Sequence, residues 1–187
     1  MTGTERAMPA AHWSRLFALN ADLLLNTLDG LSEEQANSAV VPEGNTIAFL
    51  VAHVTDSRHY LATLLGHPLP NPLEASLAGA RSLAEVRTMP ALATLRAAWV
   101  AVSRHLEAVL GSCDRARLEQ PTAQRLPGSD GTLDGAVAFL LQHDSYHLGQ
   151  IAMLRRHHGL PAMSYDPGAL AAEGAVKEGG GALRARV

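Results

Sequence analysis

Residues 133–154 carry the pattern that most constrains the fold, because one helix face recurs there in steps of three and four. The positions on this face, called the seam below, are Leu133, Ala136, Leu140, His143, His147, Gln150 and Leu154. Such a repeat predicts a long helix packed in a bundle. His143 and His147 are four residues apart, so both imidazoles lie on the buried face. Since buried polar groups are costly without partners, the seam favours a metal site inside a helical bundle. Two core histidines hydrogen-bonded to neighbouring groups remain the alternative.

A working metal site usually takes three protein ligands, so a third is needed. The candidates within the remaining helices are His12, His53, His59 and His105. We prefer His53, which shares a helical row with Phe49, Ser57, Tyr60 and Leu64. His59 lies about 120° away from His53 around the same helix and is predicted to point outward. His12 is close to a helix start, and His105 has no second ligand beside it.

Asp144 follows the first seam histidine, as glutamate does in the zincin helix. It lies about 100° round from the histidine face. We therefore predict a solvated carboxylate, or one that supports a ligand, rather than a general base. Cys113 is the only cysteine, so no intramolecular disulfide can form, and we predict an inert thiol and a cytoplasmic location.

Four long helices are predicted, which indicates an all-α four-helix bundle. They run roughly over residues 9–29, from Asn45 to Leu65, from the Thr88-Met89-Pro90 sequence to Leu110, and over 133–154. Asn45 is the predicted N-cap of the second helix, and Asp130 or Thr132 that of the fourth. Residues 67–88 read as a long connection with a short helix near Leu83. We assign residues 1–167 to one bundle domain and 168–187 to a flexible tail.

The composition and charge of the chain argue against two classes of partner, nucleic acid and membranes. A net charge of −3 gives no electrostatic footprint for nucleic acid. The first ten residues lack the basic start and apolar run of a signal peptide, and no apolar stretch approaches about 18 residues. We therefore expect a small-molecule substrate rather than nucleic acid or a membrane.

Two segments resemble the DinB-like superfamily, Asn45–His53 (NTIAFLVAH) and His143–Ile151 (HDSYHLGQI). The likeness covers roughly residues 9–160 and includes the Gly149-Gln150 pair. It implies that His53, His143 and His147 bind a divalent metal, with zinc or nickel the most frequent in the family. It further implies an up-down-down-up bundle with its crossover at residues 67–88, a homodimer, and an association with the stress response.

Three imidazoles leave coordination positions open, which is typical of a catalytic metal site. Such a site can activate water for hydrolysis or a thiol for attack on an electrophile. The resemblance favours an S-transferase that uses a low-molecular-weight thiol such as bacillithiol or mycothiol. Tyr60 and Gln150 are candidates for orienting a ligand. A metal-dependent hydrolase and a non-catalytic, stress-induced metal-binding or dimerisation protein remain the alternatives.

Overall fold

The structure is a computed structural model that describes residues 10–77, 80, 82–86, 88–165 and 168–173. The regular elements in these ranges are all helical, as predicted. In chain order they are α1 (Ala10–Leu28), α2 (Glu33–Asn37), α3 (Ile47–Leu64), α4 (Glu74–Leu77), a 3-10 turn (Leu83–Glu85), α5 (Leu92–Ser112), α6 (Arg115–Leu118), α7 (Leu133–His157) and α8 (Ala169–Ala172). The four long helices are α1, α3, α5 and α7.

The long helices pack around a common core, each against two neighbours. Helix α1 contacts α5 and α7, and α3 contacts the same two helices. The successive helices α1 and α3 are therefore diagonal rather than adjacent. The neighbouring helices α3 and α5 are joined by the long connection of residues 65–91.

Side-chain contacts give the direction of each helix. Trp13 and Asp134, near the starts of α1 and α7, are joined by a hydrogen bond of 2.8 Å, so α1 and α7 are parallel. Ser14, near the start of α1, bonds the carbonyl of Glu107 near the end of α5, so these two are antiparallel.

Helix α3 runs against α7, because His53 contacts His147 whereas Arg58, farther along α3, contacts the earlier Asp144. The topology is therefore up-down-down-up, which confirms the predicted fold.

Threonine side chains cap the starts of α3 and α7, with one correction to the sequence prediction. Thr46 and not Asn45 is the N-cap of α3, since its side chain accepts from the backbone N–H of Phe49 at 3.2 Å. Of the two candidates for α7, Thr132 is the N-cap, and its hydroxyl donates to Asp130 at 2.6 Å. Asp130 therefore supports the cap from two positions further out.

Two apolar clusters make up the core, one toward each end of the bundle. The first contains Leu24, Leu50, Leu95, Trp99 and Ile151, and the second contains Phe17, Leu61, Leu106, Leu110 and Leu140. The guanidinium of Arg58 lies between them, 3.8 Å from the ring of Trp99 and 5.1 Å from that of Phe17. A buried charge therefore separates two apolar layers.

The part of the predicted tail that the structure describes packs against α1. The backbone N–H of Gly168 donates to Asp22, and Glu173 forms an ion pair with Arg96 of α5 at 2.6 Å. Residues 174–187 lie outside the described residues, and for them flexibility stays a prediction.

Within the described part of the chain, no helix has the length and apolarity needed to span a membrane.

Candidate metal centre

The three predicted ligands converge on one point between α3 and α7. Nε2 of His143 lies 3.0 Å from Nε2 of His53 and 3.2 Å from Nε2 of His147. The four-residue spacing on α7 stacks two rings on one face, and the antiparallel α3 brings the third ring across from them. Among the described residues, these three form the one group of three or more His, Cys, Asp or Glu side chains placed to hold a metal ion.

Aromatic side chains form the walls of this three-histidine cluster. The ring of Phe49 is stacked on that of His53 at a centroid distance of 6.0 Å, and Phe139 lies 6.2 Å from His143. All three imidazoles are half-buried. The cluster therefore packs against aromatic side chains and is also partly exposed to solvent.

Gln150, the third polar residue of the seam, holds the imidazole of His147. Nδ1 of His147 donates to Oε1 of Gln150 at 2.7 Å, while Nε2 of Gln150 donates to the hydroxyl of Tyr146 at 3.3 Å. Because Nδ1 carries the proton, Nε2 of His147 offers its lone pair to the centre of the cluster. Gln150 therefore contacts an imidazole of the cluster, and its role in orienting a ligand stays a prediction.

The electrostatics keep the imidazoles neutral. Burial, followed by the neighbouring His147 and His53, lowers the pKa of His143 to about 4. Burial also lowers the pKa of His53, assisted by His147 and opposed by Asp56. For His147, burial lowers the pKa and the hydrogen bond to Gln150 opposes the shift. Three neutral rings at neutral pH present nitrogen lone pairs, the form in which histidine binds metals.

The spacing of the nitrogens fits a metal ion. Metal–nitrogen bonds of about 2.0–2.1 Å at angles of about 90–110° separate the ligand atoms by about 2.9–3.4 Å. Both observed separations, 3.0 and 3.2 Å, fall in this interval.

Hydrogen bonding alone does not satisfy the cluster. Nε2 of His143 faces two other ring nitrogens, and a single proton there can serve only one of these contacts. Nδ1 of His143 is also buried without a hydrogen-bond partner among the described residues. A cation at the centre would accept the Nε2 lone pairs that hydrogen bonds leave over, whereas Nδ1 of His143 would then carry the proton and would still lack a partner among the described residues.

Asp144 is buried, which excludes one of its two predicted environments. Its side chain is 1% exposed and accepts from Nε of Arg58 at 2.8 Å, so the solvated alternative is wrong, whereas a carboxylate that supports a ligand stays a prediction. Burial raises the pKa of Asp144 to about 6 while Arg58 opposes the shift, which leaves a carboxylate at neutral pH. The reason for the error is that α7 is covered on the Asp144 side as well as on the seam.

The remaining histidines do not join the cluster. His59 is only 5% exposed, and its Nδ1 donates to the carbonyl of Leu69, so its predicted outward orientation is wrong. The chain that crosses over after α3 covers this face. His105 donates to the carbonyl of His67 at 2.7 Å, and His12 is exposed beside Trp13.

The candidate Tyr60 and its row neighbour Ser57 bond elsewhere. The hydroxyl of Tyr60 donates to Oε1 of Gln124 at 2.5 Å, and that of Ser57 donates to the carbonyl of His53. The sequence reasoning did not single out Arg58 or Tyr146. Arg58 could have been noticed, because it is a single arginine among the mainly apolar residues of α3. The position of Tyr146 beside His147 depends on side-chain conformation, which the sequence does not show.

Comparison with known proteins agrees with this architecture. A search of curated proteins finds no match to the chain. Residues 16–151, which include all three histidines and all four long helices in whole or in part, match the model of the DinB superfamily. The chain therefore belongs to the DinB superfamily.

Proposed function

We propose that the protein is a divalent-metal-dependent enzyme, with Nε2 of His53, His143 and His147 as its metal ligands. The observation that carries the proposal is the convergence of these three atoms at 3.0 and 3.2 Å, on imidazoles that are only partly buried. The donor set suits zinc or nickel among other ions. We propose zinc or nickel because these are the metals that the family resemblance implies.

For the reaction we propose that a low-molecular-weight thiol, such as bacillithiol or mycothiol, is joined through its sulfur to a small electrophile, as in an S-transferase. A divalent ion held by imidazoles supplies Lewis-acid chemistry, since it lowers the pKa of a thiol or water in an open coordination position. The family resemblance supports the thiol over water. No fourth protein ligand closes the site among the described residues, which supports a catalytic over a purely structural role.

The protein side chains have three tasks in this proposal. Gln150 keeps Nδ1 of His147 protonated and its ring in place. Phe49 and Phe139 pack against the other two imidazoles, those of His53 and His143, and exclude water from that side. Tyr146, 58% exposed and 5.1 Å from the ring of His147, can offer its phenol proton to a substrate.

The deciding experiment is the metal content per chain, measured by plasma mass spectrometry on protein purified without a histidine tag. We expect near-stoichiometric metal in the wild type and its loss in His53→Ala, His143→Ala and His147→Ala. His12→Ala, which removes an exposed histidine, is the matched control and should retain the metal. Wild-type protein that stays metal-free after incubation with zinc and with nickel would refute the proposal and reassign the histidines as core polar groups.

A metal-loaded protein then separates the catalytic alternatives. Loss of free thiol together with appearance of a thioether, in the presence of an alkylating electrophile, supports S-transfer. Hydrolysis of ester or amide substrates without thiol consumption would support the hydrolase instead. Metal binding with neither reaction would favour a non-catalytic protein.

We also propose a homodimer formed through α1 and α7. These adjacent helices expose large apolar side chains, namely Leu16, Leu19 and Met153. Light scattering after size-exclusion chromatography should give twice the chain mass for the wild type and the chain mass for Leu19→Glu. A monomeric wild type would contradict this proposal without affecting the metal site.

A further inference from the structure

Arg58 connects all four long helices through one side chain. From α3, its Nε donates to Asp144 of α7 at 2.8 Å and its Nη1 to Ser103 of α5 at 2.7 Å. Its Nη2 donates to the carbonyl of Phe17 on α1 at 3.1 Å. Every guanidinium nitrogen is therefore paired, and the side chains of Arg58 and Asp144 are both only 1% exposed.

Stability alone is a poor reason for this arrangement. Taking two charges out of water costs free energy, and apolar replacement of a whole buried ion pair is often neutral or stabilising. The desolvation acts on both partners here, since burial lowers the pKa of Arg58 and raises that of Asp144. The pair requires one relative placement of α3 and α7, whereas apolar side chains can pack in several.

The pair lies beside the three-histidine cluster on both helices. Asp144 is the residue after His143, and Arg58 is five residues after His53, a little more than one helical turn. A slide of α3 along α7 would separate Nε2 of His53 from Nε2 of His143, and it would break the bond from Arg58 to Asp144 in the same movement. Metal sites tolerate errors of only a few tenths of an ångström in ligand position.

We propose that Arg58 and Asp144 are positioning residues, whose ion pair sets the register of α3 against α7 and thereby the distance from His53 to the histidine pair. This inference rests on the proposed metal function, but its test uses metal affinity and protein stability rather than activity. The predicted signature is a loss of affinity without a matching loss of stability.

The test variant is Arg58→Met/Asp144→Leu, which replaces the whole pair by apolar side chains of similar size. We expect it to unfold in urea at or above the wild-type midpoint. Its zinc affinity, measured by competition with a chromophoric chelator on folded protein, should fall by about tenfold or more. The absorption spectrum of the cobalt(II) form should also change, because it reports on ligand geometry.

The chain offers a matched control in a second buried arginine. Arg155 is 6% exposed and donates to the carbonyls of Thr27, Asp29 and Pro161, but it has no hydrogen bond or ion pair to α3. Arg155→Met therefore removes a buried guanidinium from α7 without touching its register with α3. It should lower stability and leave zinc affinity within about twofold of the wild type, in contrast to the double variant.

The outcomes are distinguishable. Wild-type zinc affinity and cobalt spectrum in Arg58→Met/Asp144→Leu would overturn the positioning role and leave the metal site standing. Failure of the wild type to bind either zinc or nickel would overturn the metal function and the inference with it. If the double variant does not fold, Arg58→Lys takes its place, because lysine keeps the charge but lacks the fork of donors that joins Asp144, Ser103 and Phe17. Unchanged zinc affinity in that variant would also overturn the inference.

Discussion

Nδ1 of His147 and Oε1 of Gln150, one turn apart on α7, are 2.7 Å from each other. The amide thus selects the tautomer of the imidazole and directs Nε2 at the other two histidines. The same amide donates to the hydroxyl of Tyr146, so it joins the interior of the cluster to a side chain at the surface. Gln150 accordingly acts through His147 rather than as an independent ligand.

The first prediction concerns this hydrogen bond. Gln150→Leu should weaken zinc binding by about 10–100-fold, because the imidazole loses the acceptor that orients it and raises its basicity. Gln150→Glu retains an acceptor. It should therefore bind zinc about 10–100-fold more tightly than Gln150→Leu does. Gln142→Leu, an exposed site on the same helix, is the control. Chelator competition measures all four proteins, and equal affinity of Gln150→Leu and wild type would contradict the role of the amide.

The second prediction is a loss of stability of the metal-free protein in acid. In the unfolded chain histidine has a pKa of about 6.5, whereas in the fold that of His143 is lowered to about 4 and those of His53 and His147 are also lowered. Above about pH 6.5 the rings are neutral in both states and contribute no pH dependence. As the pH falls from there toward 4, the unfolded chain binds protons that the folded protein does not, so stability falls.

Urea unfolding from about pH 8 to about pH 4 tests this, with His143→Gln as the comparison. The variant should lose less stability over the acidic part of the range. Asp144, with its pKa raised to about 6, titrates in the opposite sense in both proteins and therefore cancels in the difference. Identical slopes for the two proteins would show that His143 does not resist protonation.

The third prediction separates function from stability. In the absence of metal, His143→Leu/His147→Leu should be as stable as the wild type or more stable by about 1 kcal/mol, since two half-buried polar rings give way to apolar groups. Zinc at about 100 times its dissociation constant should raise wild-type stability by about 2.7 kcal/mol and leave the double variant unchanged. Thermal unfolding with and without zinc measures both effects. A zinc-dependent shift in the variant would mean that the ion binds elsewhere.

The fourth prediction uses two neighbouring residues at the start of α3. Thr46→Ala should lower stability by about 1 kcal/mol, because it removes the side chain that caps the N–H of Phe49. Asn45→Ala, at the exposed position just before the cap, should change stability by less than about 0.5 kcal/mol. Urea titration distinguishes the two residues, and a larger effect at Asn45 would restore it as the cap.

Local spacing carried most of what could be predicted about the site. The pairing of His143 with His147 depends only on helical periodicity, because residues four apart share a face whatever the helix packs against. The choice of His53 came from its apolar row, and the family resemblance supported it. The cap at Thr46 was missed by one residue, because Asn45 and Thr46 are both good capping residues and the choice depends on which backbone N–H groups each can reach.

The errors at His59 and Asp144 have a common cause. Helical periodicity gives the face on which a side chain lies, but it does not show what covers that face. The carbonyl of Leu69, ten residues beyond His59, belongs to the crossover that buries it. The partner of Asp144 is 86 residues away on α3. Neither contact has a local signal in the sequence.

By itself the sequence determined a helical bundle and a pair of imidazoles on one buried seam, because both follow from periodicity and from the cost of exposing apolar faces. Only the tertiary structure decided that Nε2 of His53 meets that pair at 3.0 Å. It also decided that Arg58 and Asp144 form a buried ion pair between the same two helices. The physical reason is that the register between two helices depends on contacts between residues distant in the chain. The free energy of those contacts cannot be derived from the sequence of either helix alone.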